Sequence, residues 1–391
     1  GTNAGTYFVW SKVDADGNHN GVAAKYIGIV TIAKAIAQVG DNYYTSVQNA
    51  VNSISTSGTV TMIEDTTENV NIASGKNIEL KLNGKTQKGN IINDGTLSIF
   101  GEGEIANVGE SQVLYNNGNL TLNGGRYYGT AKDCATIRNN KGKLTLKGNV
   151  SIESVNDATI TSYGGTELEI LNGNILQIPH TKAAILAHGT KIKISGGSID
   201  GGTGVLVNDN TSIIMTSGSI YAGNGGGIGL YQNCTLNMSG GNIVAEGNTD
   251  NTPNGIWVAD KASASISGGT IITNCFEHEA IDCDSGGSVS ITGGKFYNRA
   301  GGRAAIVGDS QGAVAKFSIN GGKFYTNNES GNCPYASGTD WRYYSSILVW
   351  SGSNKAYSWN SKTSYVKNYI GKYTYWNYDQ NQLSSNAIGT P

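Results

Sequence analysis

Ile185-Leu186-Ala187-His188, followed by Ile192-Lys193-Ile194-Ser195-Gly196-Gly197-Ser198-Ile199, is a phrase that this chain repeats. It comprises an apolar strand, a polar break, a second strand that alternates apolar and polar residues, a Gly turn and another apolar residue. It returns as Ile256-Trp257-Val258-Ala259, then Ala264-Ser265-Ile266-Ser267-Gly268-Gly269-Thr270-Ile271. The first apolar residue of each phrase marks the register: Ile92, Leu114, Ile137, Ile160, Ile185, Val205, Ile228, Ile256, Ile281 and Ile306. These ten marks lie 20 to 28 residues apart, about 24 on average. Such a period suits a leucine-rich repeat or a β-helix coil. The leucine-rich signature with its Asn ladder is missing, and no helix-forming run separates the strands. The reading is therefore a parallel β-helix.

Working outward, the second strand is the clearest: Leu120-Thr121-Leu122, Leu144-Thr145-Leu146, Leu168-Glu169-Ile170, Leu236-Asn237-Met238, Val289-Ser290-Ile291 and Phe317-Ser318-Ile319. Period-two alternation sends the apolar members inward and the polar ones to solvent. A third strand, marked by Ile199, Ile220, Ile243, Ile271, Phe296 and Phe324, closes each coil. Coils stack at the strand spacing of about 4.8 Å, so ten make a rod of roughly 48 Å. The 56 glycines and four prolines suit this design, because Gly permits sharp turns and Pro cannot donate to a ladder.

The ends depart from the repeat, as caps over open strand edges should. Residues 1–75 form an N-terminal cap with a hairpin, Tyr7–Val13 against Val22–Val30, and one short helix, Thr45 to Ile54. The helix is expected from Val47, Ala50, Val51 and Ile54 at helical spacing. Strands Thr59–Ile63 and Val70–Ile72 lead into the coils. Residues 76–325 are the β-helix. Residues 326–391 are expected to form an aromatic C-terminal cap containing Trp341, Tyr343, Tyr344, Trp350, Tyr357, Trp359, Tyr365, Tyr369, Tyr373, Tyr375, Trp376 and Tyr378.

Composition excludes several classes of function. A net charge of -2 with 14% charged residues leaves no electrostatic footprint for nucleic acid or an anionic membrane surface. No apolar run reaches the 18 residues a spanning helix needs, so no membrane insertion is expected. No secretory signal opens the chain, as expected of a mature form. The five cysteines, Cys134, Cys234, Cys275, Cys283 and Cys333, lack the spacing of a zinc site.

Three sequence features carry a resemblance: Val39-Gly40-Asp41-Asn42-Tyr43-Tyr44-Thr45-Ser46-Val47-Gln48-Asn49-Ala50-Val51, the Asn83-Gly84-Lys85-Thr86 turn, and the Gly-Gly-Lys-Phe-Tyr phrases at 293 and 321. They look like the repeat-containing β-helix surface proteins of anaerobic Gram-positive bacteria, a pectate-lyase-like superfold. What this resemblance implies is a right-handed β-helix, located outside the cell or on its surface, that meets polysaccharide, mucus or other cells.

Candidate sites lie on the exposed face of the first strands. One outward column is expected to run through Asn93, Tyr115, Arg138, Thr161, Leu186, Leu206, Gly229, Trp257, Asp282 and Val307, and a second through His188, Asn208, Tyr231, Ala259, Asp284 and Asp309. Exposed aromatic rings stack on sugars, so the expected ligand-binding residues are Trp257, Tyr231, Tyr115 and His188, although His188 also suits plain surface decoration. Asp282 and Asp284 stand two residues apart on one strand, about 6.5 Å, and Asp309 one coil on, about 4.8 Å from Asp284. Glycosidase carboxylate pairs span about 5 to 9.5 Å. The trio resembles the three-Asp arrangement of β-helix polygalacturonases, but that family's Gly-His-Gly and Arg-Ile-Lys motifs are absent, and Asn248-Thr249-Asp250 reads as a chance match in a polar loop. A Ca²⁺-assisted lyase with Arg303 as base is a second enzymatic reading.

Other motifs read as structure. His278, between Glu277 and Glu279, is expected in a hydrated loop. Asp14-Ala15-Asp16-Gly17-Asn18-His19-Asn20 reads as a hairpin turn, not a calcium loop. Gly223-Asn224-Gly225-Gly226-Gly227 is a coil turn without the following helix that a phosphate loop requires. The leading expectation is a non-catalytic, adhesin-like binder of polysaccharide or host glycan that needs no cofactor. The alternatives are a polysaccharide hydrolase or lyase using Asp282, Asp284 and Asp309, and a structural subunit that self-associates end to end into a filament.

Overall fold

The structure, a computed structural model, describes residues 3–107, 109–247, 253–275, 278–284, 286–298, 306–308, 316–327, 347–349, 365–370 and 373–378. The repeat folds as a parallel β-solenoid. Its first strands form one twelve-stranded parallel sheet that runs from Val70–Ile72 through Ile91–Asn93, Leu114–Asn116 and Ile137–Asn139 to Ile281–Cys283, Ile306–Gly308 and Ile347–Val349. The second and third strands of each coil pair with their counterparts in the adjacent coils and make the remaining walls.

Register follows chemistry. Leu97, Leu120, Leu144, Leu168, Ile192 and Ile213 stack in one inward column, and Ile105, Tyr127, Ile152, Ile175, Ile199 and Ile220 in another. All are buried, and each full burial of such a side chain contributes about 1.5–3 kcal/mol. Phe296 and Phe324 continue the third-strand column with rings stacked at 4.9 Å. The doubled Gly of the turn has two separate causes. At Gly268 a Cβ would lie 2.3 Å from the Ser239 carbonyl oxygen, while Gly269 adopts a φ of +90°. The first glycine allows coil backbones to approach, and the second takes a conformation that L residues rarely adopt.

The N-terminal end of the stack is covered. Val47–Ser53 is helical, with Val47, Ala50 and Val51 buried. Ser46 caps it by accepting from Asn49 N–H, and the Glu68 carboxylate accepts from Val47 and Gln48 N–H at 2.8 and 3.0 Å. At the other end Lys76 Nζ donates to the carbonyls of Val51 and Ile54. Opposite charges thus sit at opposite ends of the helix dipole.

Gly5–Val13 and Val22–Ile32 pair antiparallel as a separate two-stranded sheet, with Phe8, Trp10, Ile27 and Ile29 all exposed. Its turn is held by Asp16, whose Oδ1 accepts from the Asn18 and His19 N–H groups at 2.8 Å. At the C-terminal end Lys323–Asn327 pairs antiparallel with Tyr373–Tyr378. Trp341, Tyr343, Tyr344, Trp350, Tyr357 and Trp359 lie outside the described residues.

One expectation about register is corrected. Ile91, not Ile92, aligns with Leu114 and Ile137, so Asn93 points inward. It begins a buried ladder: Asn93 Nδ2 donates to Asn116 Oδ1, Asn116 Nδ2 to Asn139 Oδ1 and Asn139 Nδ2 to Ser162 Oγ, at 2.8, 2.8 and 3.0 Å. Ser162, Thr166 and Thr190 extend it through their hydroxyls. Asn is tolerated inside because its amide both donates and accepts, so identical residues one coil apart satisfy each other. The Asn ladder that the leucine-rich comparison found wanting is therefore present in another form.

Asn116→Ala should destabilise the fold by about 3 kcal/mol, because it strands the Asn93 donor and the Gly118 N–H that both use Asn116 Oδ1. Chemical denaturation of the two proteins checks this. A loss as small as that of an exposed Asn→Ala change would show that the ladder does not act as a unit.

Candidate functional site

The first-strand sheet presents its outward side chains in two parallel columns. Strand pairing puts Tyr115, Arg138 and Thr161 on successive coils of one column, then Leu186, Leu206, Gly229, Trp257 and Asp282. Residues two positions on form the second column. There Asn117 Nδ2 donates to Asp94 Oδ1 and Asn140 Nδ2 to Asn117 Oδ1.

Four of the expected residues come together near the C-terminal part of this face. Tyr231 and Trp257 meet edge to face, with ring centroids 5.1 Å apart. Their approach depends on Gly229, where a Cβ would lie 3.3 Å from Tyr231 Cε2 and 2.8 Å from Leu206 Cδ1. The Trp257 indole N–H donates to Asp284 Oδ2 at 3.1 Å. Asn254 Nδ2 donates to Asp282 Oδ2 at 3.2 Å, while its own oxygen accepts the Glu279 N–H. Both rings and both carboxylates are partly exposed. The result is an aromatic corner whose indole is oriented by a carboxylate one coil on, with a second carboxylate beside it.

Electrostatics follow from this crowding. The Tyr231 phenol is pushed well above its ordinary range, first by burial and then by the carboxylates of Asp284, Asp260 and Asp282. It therefore stays protonated and neutral at any physiological pH. Asp309 and Arg303, the remaining members of the proposed catalytic and lyase sets, lie outside the described residues. Among the described residues no group of three His, Cys, Asp or Glu side chains stands close enough together to hold a metal ion.

The other expected residues fall elsewhere. Tyr115 and His188 lie several coils toward the N-terminal end. His188 is not solitary: its ring stacks on Tyr163 at 5.9 Å, and Nδ1 sits 3.0 Å from Asp209 Oδ2. Ala259 is covered despite its place in the outward column. The hydrated loop expected around His278 is corrected, since His278 is 9% and Glu279 1% exposed. Here the backbone is bonded to its neighbours: the Gly255 N–H donates to the Glu279 carbonyl and Asn298 Nδ2 to the His278 carbonyl. Glu277 lies outside the described residues.

Two features escaped the sequence reading. On the third-strand face, His180 Nε2 lies 3.0 Å from Asp200 Oδ1, Tyr221 OH donates to Glu246 Oε2 at 2.8 Å, and Asn274 Nδ2 donates to Glu246 Oε1 at 2.7 Å. Burial raises the Asp200 carboxyl against the opposing pull of His180. The hydrogen bond to Glu246, then burial, pushes the Tyr221 phenol up to about 12. Aligning third strands would have placed Asp200 opposite Tyr221. The second feature is an open cleft of about 770 Å³ over Gly268, Gly269, Gly293, Gly294, Gly321 and Gly322, with Lys295 and Lys323 at its edge. Its glycine floor carries no aromatic ring.

Comparison with family models, with curated proteins and with solved structures yields no match for this chain. Geometry alone therefore singles out the Tyr231–Trp257–Asp282–Asp284 corner.

The Tyr231 shift has a testable sign. An unfolded tyrosine ionises near pH 10, whereas folded Tyr231 keeps its proton to higher pH. Its contribution to stability is thus present below about pH 10 and is lost as pH rises toward the folded value, by about 1.4 kcal/mol per pH unit. Tyr231→Phe should lose less stability than wild type between about pH 10 and pH 11. Denaturation at both pH values measures this, and parallel losses in the two proteins would count against the assigned shift.

Proposed function

We propose that this chain is a glycan-binding β-helix that works outside the cell, with the Tyr231–Trp257 corner as its stacking surface. The carrying observation is the oriented indole. Trp257 is partly exposed, braced edge-on by Tyr231 and tethered through Nε1 to Asp284. A ring held in advance loses little conformational freedom when a sugar stacks on it. The neutral Tyr231 phenol adds a hydrogen-bond donor for a sugar hydroxyl. The solenoid repeats such positions along one face, which suits an extended polymer. The resemblance to surface β-helix proteins supports an extracellular or bacterial cell-surface setting.

A second reading is supported by the two carboxylates. Asp282 lies on the strand Ile281–Cys283 and Asp284 follows it directly, beside the aromatic corner; two residues of extended chain span about 6.5 Å, a separation glycoside hydrolysis uses. End-to-end self-association ranks below both, because the N-terminal helix covers one end of the stack.

Titration calorimetry against soluble pectins, xylans and mucin glycans should find a binder among them, and Trp257→Ala should weaken that binding at least ~10-fold, in keeping with a lost stacking platform. Unsaturated products or new reducing ends, abolished by Asp284→Asn, would assign the hydrolase or lyase reading. Retention of full affinity in Trp257→Ala would remove the corner as the binding surface.

A further inference from the structure

We propose that Arg138, held between Tyr115 and Tyr163, is a second subsite on the same face that recognises a carboxylate substituent, so that the glycan bound is an acidic one. This rests on the glycan-binding reading and specifies its substrate class. The Arg138 Cζ lies 4.6 Å from the Tyr163 ring centroid and 5.6 Å from that of Tyr115. These rings come from the coils on either side, in the pairing register Tyr115, Arg138, Thr161, with Tyr163 two residues further along. His188 stacks against Tyr163 and is itself engaged by Asp209.

The guanidinium is positioned yet has no anion. Its Nε is sealed from solvent without a hydrogen-bond partner. Among the described residues no carboxylate forms an ion pair with it, although Asp157, Asp133 and Glu110 all influence the neighbouring Cys134. Arg126, one coil nearer the N-terminus, shows the structural alternative: its guanidinium is taken up by Glu104 and Glu153 on the two flanking coils. At Arg138 the flanking positions are Tyr115 and Thr161, and the rings of Tyr115 and Tyr163 take the places that carboxylates hold around Arg126. The buried Nε is out of a ligand's reach, but the two Nη groups have no hydrogen-bond or ion-pair partner among the described residues, and a planar carboxylate met by this pair of donors forms the strong charge-assisted arrangement that Arg favours. The same outward column leads on to Trp257, so one chain lying along the rod reaches both places.

The test compares a uronic acid tetrasaccharide with the same tetrasaccharide methyl-esterified at every carboxyl, and with a sulfated neutral tetrasaccharide, by titration calorimetry. Wild type should bind the uronate at least ~10-fold more tightly than the ester, with the advantage shrinking as salt rises toward about 1 M. Arg138→Gln should erase that preference while keeping its affinity for the ester and its thermal midpoint. Arg138→Lys, which keeps the charge without the fork, should retain part of it and serves if the Gln variant fails to fold. Trp257→Ala should weaken acid and ester alike, and that arm reports on the glycan-binding reading separately. Equal affinity of wild type for acid and ester, a preference that survives in Arg138→Gln, tighter binding of the sulfated sugar, or no binding by any of the three would each overturn the Arg138 assignment.

Discussion

Backbone pairing between successive coils, at the strand spacing of about 4.8 Å, is the constraint on which everything else depends. No coil can bury its own apolar side chains; each borrows the surface of the next. Like must therefore stack on like. Leu97, Leu120, Leu144 and Leu168 share one column for this reason, and Phe296 lies flat on Phe324. The spacing also explains the glycines. A Cβ at Gly268 would run into the preceding coil's carbonyl, so the turn phrase is a statement about backbone approach.

The same constraint governs polar groups, inside and out. Inside, an amide that repeats every coil finds its own kind at hydrogen-bonding distance, which is how Asn93, Asn116 and Asn139 remain buried at no net loss of partners. Outside, side chains one coil apart are compelled to touch. Arg126 draws carboxylates from both neighbours, Arg138 receives tyrosines, and Trp257 receives Tyr231 on one side and Asp284 on the other. Columns that look irregular in the sequence are contact sequences, and their chemistry changes from coil to coil.

Much of this was legible beforehand, for a physical reason. Period-two burial and Gly turns are local signals, so the second strands, the N-terminal helix and the hairpin could be read from short windows. Alignment between coils is a long-range property. An error of one residue at Ile91 sent Asn93 to the wrong face, because side chains alternate with a period of two. The loop around His278 was misjudged since its polar residues signal exposure, whereas its burial comes from coils packed against it. The His180–Asp200 and Tyr221–Glu246 contacts join residues 20 or more positions apart, with no motif to announce them.

The sequence by itself determined the architecture: a repeat of about 24 residues, with alternating strands and glycine turns, has few ways to satisfy its backbone other than by stacking. It also named Trp257, Tyr231, Asp282 and Asp284 as outward residues. Only the tertiary structure decided which of them meet, that Asp284 orients the indole, and that Arg138 stands between two rings without a carboxylate. Those facts depend on the register between coils and on rotamers chosen against neighbours from other coils, and neither is encoded in any single phrase of the repeat.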